Sequence, residues 1–171
     1  MDTVKINRLL RVGIGLLAIG LVYTIYAAIY QRVVEAGDTA PDFTVMADNG
    51  RSVSISQFGG KLLILNFWAS WCQPCVEETP SLSAFAQQYA NKGVVVLAVS
   101  VDKDPQAYQK FVERFHPSFL TARDLKIHED YGTFVYPESY VIDVSGRVLR
   151  KYAEAKNWMD PSTVADINSL L

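Results

Sequence analysis

The stretch Leu62-Leu63-Ile64-Leu65-Asn66-Phe67-Trp68-Ala69-Ser70-Trp71-Cys72-Gln73-Pro74-Cys75 decides the fold. Residues 62–67 form a short, nearly continuous apolar run, the pattern of a central strand covered on both faces. A helix is predicted from Cys72, because Leu82, Phe85, Ala86 and Tyr89 recur at i, i+3, i+4 and i+7. Pro80 falls inside that helix and predicts a kink. The two cysteines therefore sit where a strand hands over to a helix, and they are the only two in the chain. Unsatisfied N–H groups and the positive end of the helix dipole stabilise a thiolate there, and the thiolate is the form that attacks a disulfide. Cys72 is expected to be the exposed attacking thiol, and Cys75, one turn further in, the shielded resolving thiol. Pro74 fits the first turn, where its missing N–H would be an orphan in any case.

Upstream, 43–46 and 52–55 are strand candidates separated by the turn signal Asp48-Asn49-Gly50. A brief helical turn is expected over 56–58. Downstream, Gly93 ends the helical segment and 94–101 is a second buried strand. Asp104-Pro105 reads as an N-cap followed by proline at the first helical position, with Tyr108, Phe111, Val112 and Phe115 as the buried stripe. A short strand after Phe119 and a helical piece over 125–131 follow. Strands over 139–144 and 147–152 are joined at Ser145-Gly146, a hairpin signal. Asp160-Pro161 opens a closing helix that presents Val164, Ile167 and Leu171. Right-handed strand–helix–strand crossovers make the first strands parallel, and the hairpin extends the sheet antiparallel. The expected fold is α/β, a mixed central sheet with helices on both faces.

The chain has 171 residues, half of them apolar and 12% aromatic, with a net charge of −2. That composition excludes disorder, and the absence of a basic run argues against nucleic acid as a partner. Two cysteines and two histidines exclude a disulfide scaffold and a four-ligand zinc module. A metal site would need His116 or His128, whose spacing matches no ligand pair. A purely structural Cys72–Cys75 bond would close a very small loop and remove little unfolded-state entropy. Redox chemistry is the reading that uses both cysteines.

From Val12 to Tyr30 no side chain is charged, a length of roughly 28 Å as a helix, close to a bilayer's hydrocarbon core. Lys5, Arg8 and Arg11 precede it, which places the N-terminus in the cytoplasm. The expected organisation is a cytoplasmic N-terminus over 1–11, a transmembrane anchor over 12–30, a linker over 31–37 and one domain over 38–171. A cleaved signal peptide and a buried core helix are the alternatives.

The run Phe67 to Cys75, with Pro80 five residues beyond the second cysteine, resembles the active site of the thioredoxin superfamily. Ala40-Pro41-Asp42-Phe43, Gly60-Lys61 and Glu77-Glu78-Thr79-Pro80 resemble the membrane-anchored ResA/TlpA/CcmG (DsbE) group. The similarity runs from about Asp38 to Tyr152. It implies a thioredoxin-like fold with an N-terminal β-hairpin, and no cofactor or metal beyond the redox-active Cys72–Cys75 disulfide. Pro137 matches the family's cis-proline, so that the backbone of Tyr136 would bind substrate in strand-like fashion. Glu78 matches an acidic residue of the group. It also lies three residues beyond Cys75 on one helix face, from where it can raise a thiol pKa and relay its proton; the alternative is a solvated surface acid. Pro137-Glu138-Ser139 resembles the CcmG branch and makes Glu138 a second candidate acid at the site. Asn66 stands where thioredoxin has a buried aspartate. Trp68 and Trp71 would frame the site, with Trp71, Tyr136, Pro137 and Glu138 meeting substrate. Trp158 and the two histidines read as packing or surface residues.

Gln73 between the cysteines is neutral, and nearby acids disfavour the thiolate, so a reductase is favoured over an oxidase. Such an enzyme outside the cytoplasm needs an electron supply. The resemblance implies a membrane thiol transporter of the CcdA/DsbD kind as donor, and the Cys-x-x-Cys-His haem-attachment site of an apocytochrome c as client. The alternatives are a general periplasmic disulfide reductase or oxidase for other clients, and a non-catalytic redox-sensing module.

Overall fold

The computed structural model describes residues 3–29 and 33–171, which form two separate units, one ending at Arg32 and one spanning Val33–Leu171. In the second unit the apolar run becomes β3 (Leu62–Trp68), buried along its whole length, after a two-stranded hairpin of β1 (Thr44–Met46) and β2 (Ser52–Ser54). Between the hairpin and β3, residues 56–58 form turn and irregular backbone, not the helical turn expected. The long helix α2 (Gln73–Tyr89) runs unbroken with Pro80 inside it. β4 (Val94–Ser100), α3 (Pro105–Phe115), β5 (Leu120–Arg123) and the single turn α4 (Ile127–Asp130) follow. β6 (Glu138–Asp143), β7 (Val148–Tyr152) and α5 (Pro161–Asn168) complete the unit. The first unit contributes the helix α1 (Thr3–Ile29).

The five-stranded sheet has the order β5-β4-β3-β6-β7. β3, β4 and β5 are parallel; β6 is antiparallel to β3, and β7 is antiparallel to β6 and so runs in the direction of β3. The expected caps form: Asp104 and Asp160 accept hydrogen bonds from Gln106 N–H and Ser162 N–H, each ahead of a proline in the first turn. The helices do not share the two faces evenly. Stepping from β3 to β4 and from β4 to β5 moves the same way across the sheet, so two right-handed crossovers put α2 and α3 on one side. That side holds Leu62, Ile64, Val94, Val96 and Val141 against Leu82, Phe85, Tyr89 and Ile167. The other holds Leu63, Leu65, Phe67, Tyr140 and Ile142 under the hairpin residues Val45 and Val53, with Ile127 and Tyr131 from the α4 region.

Of the expected linker over 31–37, residues 33–37 belong to the compact unit. Val34 is buried, its N–H donating to the Tyr131 carbonyl at 3.1 Å, and Gly37 N–H donates to the Val148 carbonyl at 2.7 Å. In α1 the side chains of Leu16, Leu17, Ile19 and Val22 are all exposed. Among the described residues no helix is long and apolar enough to cross a membrane. The run expected as an anchor ends on Tyr30, outside the described residues.

Candidate active site

The strand-to-helix connection at the end of β3 is held by a buried acid. Asp102, 1% exposed just past the end of β4, accepts from Ser70 N–H at 2.9 Å, Ser70 Oγ at 2.8 Å and Ser100 Oγ at 2.7 Å. Cys72 is the N-cap of α2 in extended conformation, and its Sγ accepts from Cys75 N–H at 3.3 Å. The sulfur thus occupies the position where a cap oxygen usually satisfies an orphan donor, and that N–H stabilises negative charge on it. The two cysteines are joined in a disulfide, with their Cα atoms 5.3 Å apart.

Cys72 is less open than expected. It is 6% exposed against 3% for Cys75; its sulfur lies 3.3 Å from the Tyr136 carbonyl oxygen, and the residue belongs to a buried cluster that includes Trp68, Ala69 and Phe111. The Tyr136–Pro137 bond is cis, Pro137 is buried and Tyr136 half-buried. Trp71 is 67% exposed, and its ring meets the Tyr136 ring edge-on at 5.9 Å. Trp71, Cys72, Tyr136 and Pro137 are therefore brought together.

Behind the disulfide lies a cavity of about 10 Å³, lined by Cys75, Glu78 and Asn66 among others, room for about one water. Glu78 is 4% exposed, not a surface acid. Its carboxylate accepts from Trp158 Nε1–H and from the backbone of Lys156. Burial pushes its pKa from 4.5 up to about 7, against the opposing pull of the Trp158 bond and of the Lys156 backbone and charge. A carboxyl poised there exchanges a proton near neutrality, which suits acid–base work on a thiol. Asn66 donates to Ser139 Oγ at 2.8 Å across the sheet.

The structure does not bring the Glu138 carboxylate to the disulfide, so it is no second acid there. Glu138 pairs in register with Phe67, whereas Ser139 pairs with Asn66, and alternate strand residues face opposite sides. The Glu138 carboxylate lies in a buried network with Lys151 Nζ at 3.2 Å, Tyr140 Oη at 2.9 Å and Thr133 Oγ1.

Two residues read as packing or surface have defined roles. Trp158, fully buried, is the indole that bonds Glu78 from a loop eighty residues away, and no local pattern signals that contact. His128 Nδ1 lies 2.9 Å from the Thr133 carbonyl and 3.1 Å from Tyr136 Oη, supporting the segment that faces Cys72. His116, in left-handed conformation, only closes α3. Among the described residues no group of three His, Cys, Asp or Glu is placed to hold a metal.

The redoxin family profile matches residues 35–171. The chain is 35% identical over 153 residues to the thiol-disulfide oxidoreductase ResA of Bacillus thuringiensis subsp. konkukian (strain 97-27), covering 86% of this chain and 88% of that one. It is 30% identical to ResA of Bacillus subtilis (strain 168), covering 82% of each. The fold is similar to a crystal structure described as a thiol:disulfide interchange protein DsbE from Chlorobium tepidum. The TM-score is 0.73, with 30% identity over 81% of this chain and 99% of that one. The chain belongs to the redoxin family and, within it, to the ResA/TlpA/CcmG group of thiol-disulfide oxidoreductases, with Cys72 and Cys75 as its redox pair.

Proposed function

We propose that this oxidoreductase is a membrane-anchored reductase acting outside the cytoplasm, with the haem-attachment cysteines of an apocytochrome c as client. The observation that carries the direction of flow is Glu78, buried beside Cys75 in the same cavity and titrating at about 7. Above that pH a carboxylate next to the pair disfavours a second negative charge on sulfur. Strong oxidants depend on a stabilised reduced thiolate, so this arrangement lowers oxidising power.

In the working direction the Cys72 thiolate attacks one client sulfur. The client S–S bond breaks, and the first client thiolate leaves and takes up a proton. Cys75 then attacks Cys72 Sγ, its proton passes to the Glu78 carboxylate, and the second client thiolate departs. Two electrons move from the protein dithiol to the client, and Cys72–Cys75 is left as the disulfide. A membrane thiol transporter of the CcdA/DsbD kind supplies the two electrons that restore the dithiol.

Support for anchoring is the uncharged run Val12 to Tyr30 behind Lys5, Arg8 and Arg11, together with the exposed apolar side chains of α1. The test is the equilibrium reduction potential of the full chain in detergent micelles. A value of about −220 mV or lower is expected. A value near about −120 mV makes the pair an electron acceptor and overturns the assignment.

A further inference from the structure

Beside the disulfide, α2 and α3 enclose a groove of about 400 Å³ that the redox chemistry does not use. Ser70 and Gln73 line it and bracket Trp71 and Cys72 in sequence, so it adjoins the active-site segment. Val76 and Phe111 give it an apolar floor, and the exposed Lys110 and Arg114, one turn apart on α3, line it. Among the described residues neither cation has an ion-pair partner; the Arg114 guanidinium lies only over the Phe115 ring, 5.2 Å from its centre. Gln73 also donates to Glu77 at 2.9 Å, which sets one acid at the edge against the two cations. Residues 32–171 carry 13 Lys and Arg against 17 Asp and Glu, so a cationic patch at the site runs against the charge of the whole domain.

We propose that this groove receives an acidic stretch of the client polypeptide flanking its disulfide, with an apolar client side chain on the Val76–Phe111 floor. The assignment rests on the client-reduction reading above. Opposite charges placed at the rim of an encounter raise the association rate more than they deepen the bound state, and salt screens them.

The test uses the full chain, reduced, in non-ionic micelles. Two peptides share one Cys-x-x-Cys disulfide; one is flanked by Asp and Glu, the other by Ser and Gln. Their intrinsic reactivities are normalised against a small uncharged dithiol. At low salt the acidic peptide is expected to be reduced about three- to tenfold faster, the scale of two exposed charge pairs. The preference should vanish at about 0.5 M salt and in Lys110→Gln/Arg114→Gln, and reverse in Lys110→Glu/Arg114→Glu. The neutral peptide's rate reports intact chemistry and folding, and should stay within about twofold throughout, since these charges act only through encounter. A wild-type preference near one, or one that survives Lys110→Gln/Arg114→Gln, overturns the groove assignment alone. A chain that reduces neither peptide overturns the client-reduction reading and the groove with it.

Discussion

Glu78 and Glu138 are both buried glutamates beside the central sheet, yet their surroundings differ in kind. Glu138 has a lysine nitrogen at 3.2 Å and two hydroxyls on its carboxylate. Glu78 has an indole N–H and a backbone donor, while the ammonium of Lys156 is engaged by Glu154 at 2.8 Å. A buried carboxylate with a cation and donors has its charge housed; one with neutral donors is driven to hold a proton. Burial alone therefore does not make an acid functional. The partner set decides whether it serves the fold or the chemistry.

Removing the cation from Glu138 should have the largest effect. Lys151→Met leaves a buried carboxylate with hydroxyl donors only, and truncating one partner of a buried pair costs about 3–5 kcal/mol. Urea unfolding of the oxidised chain should show that loss, while disulfide exchange by the folded protein keeps its rate. Adding Glu138→Gln to Lys151→Met should restore most of the stability. A lone Lys151→Met chain as stable as its parent removes the housed-charge account of Glu138.

Glu78→Gln should act the other way round, on chemistry and on pH dependence. When an external dithiol attacks Cys72, Cys75 departs as a thiolate, and protonated Glu78 is placed to supply its proton. Loss of that acid should slow reduction of the disulfide about 100-fold below neutrality, the low end for a positioned acid. The stability effect has a definite sign. The native state holds the Glu78 proton up to about pH 7, whereas a free glutamate releases it at 4.5. The contribution is therefore present in full below 4.5 and is lost as pH rises through about 7. It amounts to roughly 3 kcal/mol across that window. Stability of the parent should fall between pH 5 and pH 8 relative to Glu78→Gln; parallel curves would show that Glu78 does not titrate there.

Much of the sheet was legible because short-range signals mark it: the run 62–67, the Asp-Pro helix starts at 104 and 160, and the turn at Ser145-Gly146 all lie where the structure has them. Glu78 was legible from its helical spacing to Cys75. Trp158 was not, because its partner is distant in the chain and a loop tryptophan carries no periodicity. For Glu138 the signal existed. Strand alternation groups it with Tyr140 and Ile142, away from Ser139, but which set faces the disulfide depends on register against β3, a long-range fact. The uneven sharing of helices follows from the direction of the second crossover, which sequence leaves open until β5 is placed outside β4.

The finest test asks whether Glu78 is tuned by its donor as well as by burial. Trp158 Nε1–H favours the charged carboxylate and so opposes the desolvation that raises the pKa. Trp158→Phe keeps an aromatic ring against Phe85 and Tyr152 but removes the N–H. A hydrogen bond to a charged group contributes about 1.5–3 kcal/mol, and one pKa unit is about 1.4 kcal/mol. Partial replacement of the donor by water leaves an expected upward shift of about one unit. The readout is the pH midpoint at which reduction of the disulfide loses its Glu78-dependent component, a quantity that a small loss of packing does not move. Thr133→Val removes a donor from Glu138 instead and should leave that midpoint in place. If both variants leave it unchanged, the Trp158 donor does not tune Glu78, and the contrast between the two acids rests on Lys151 beside Glu138.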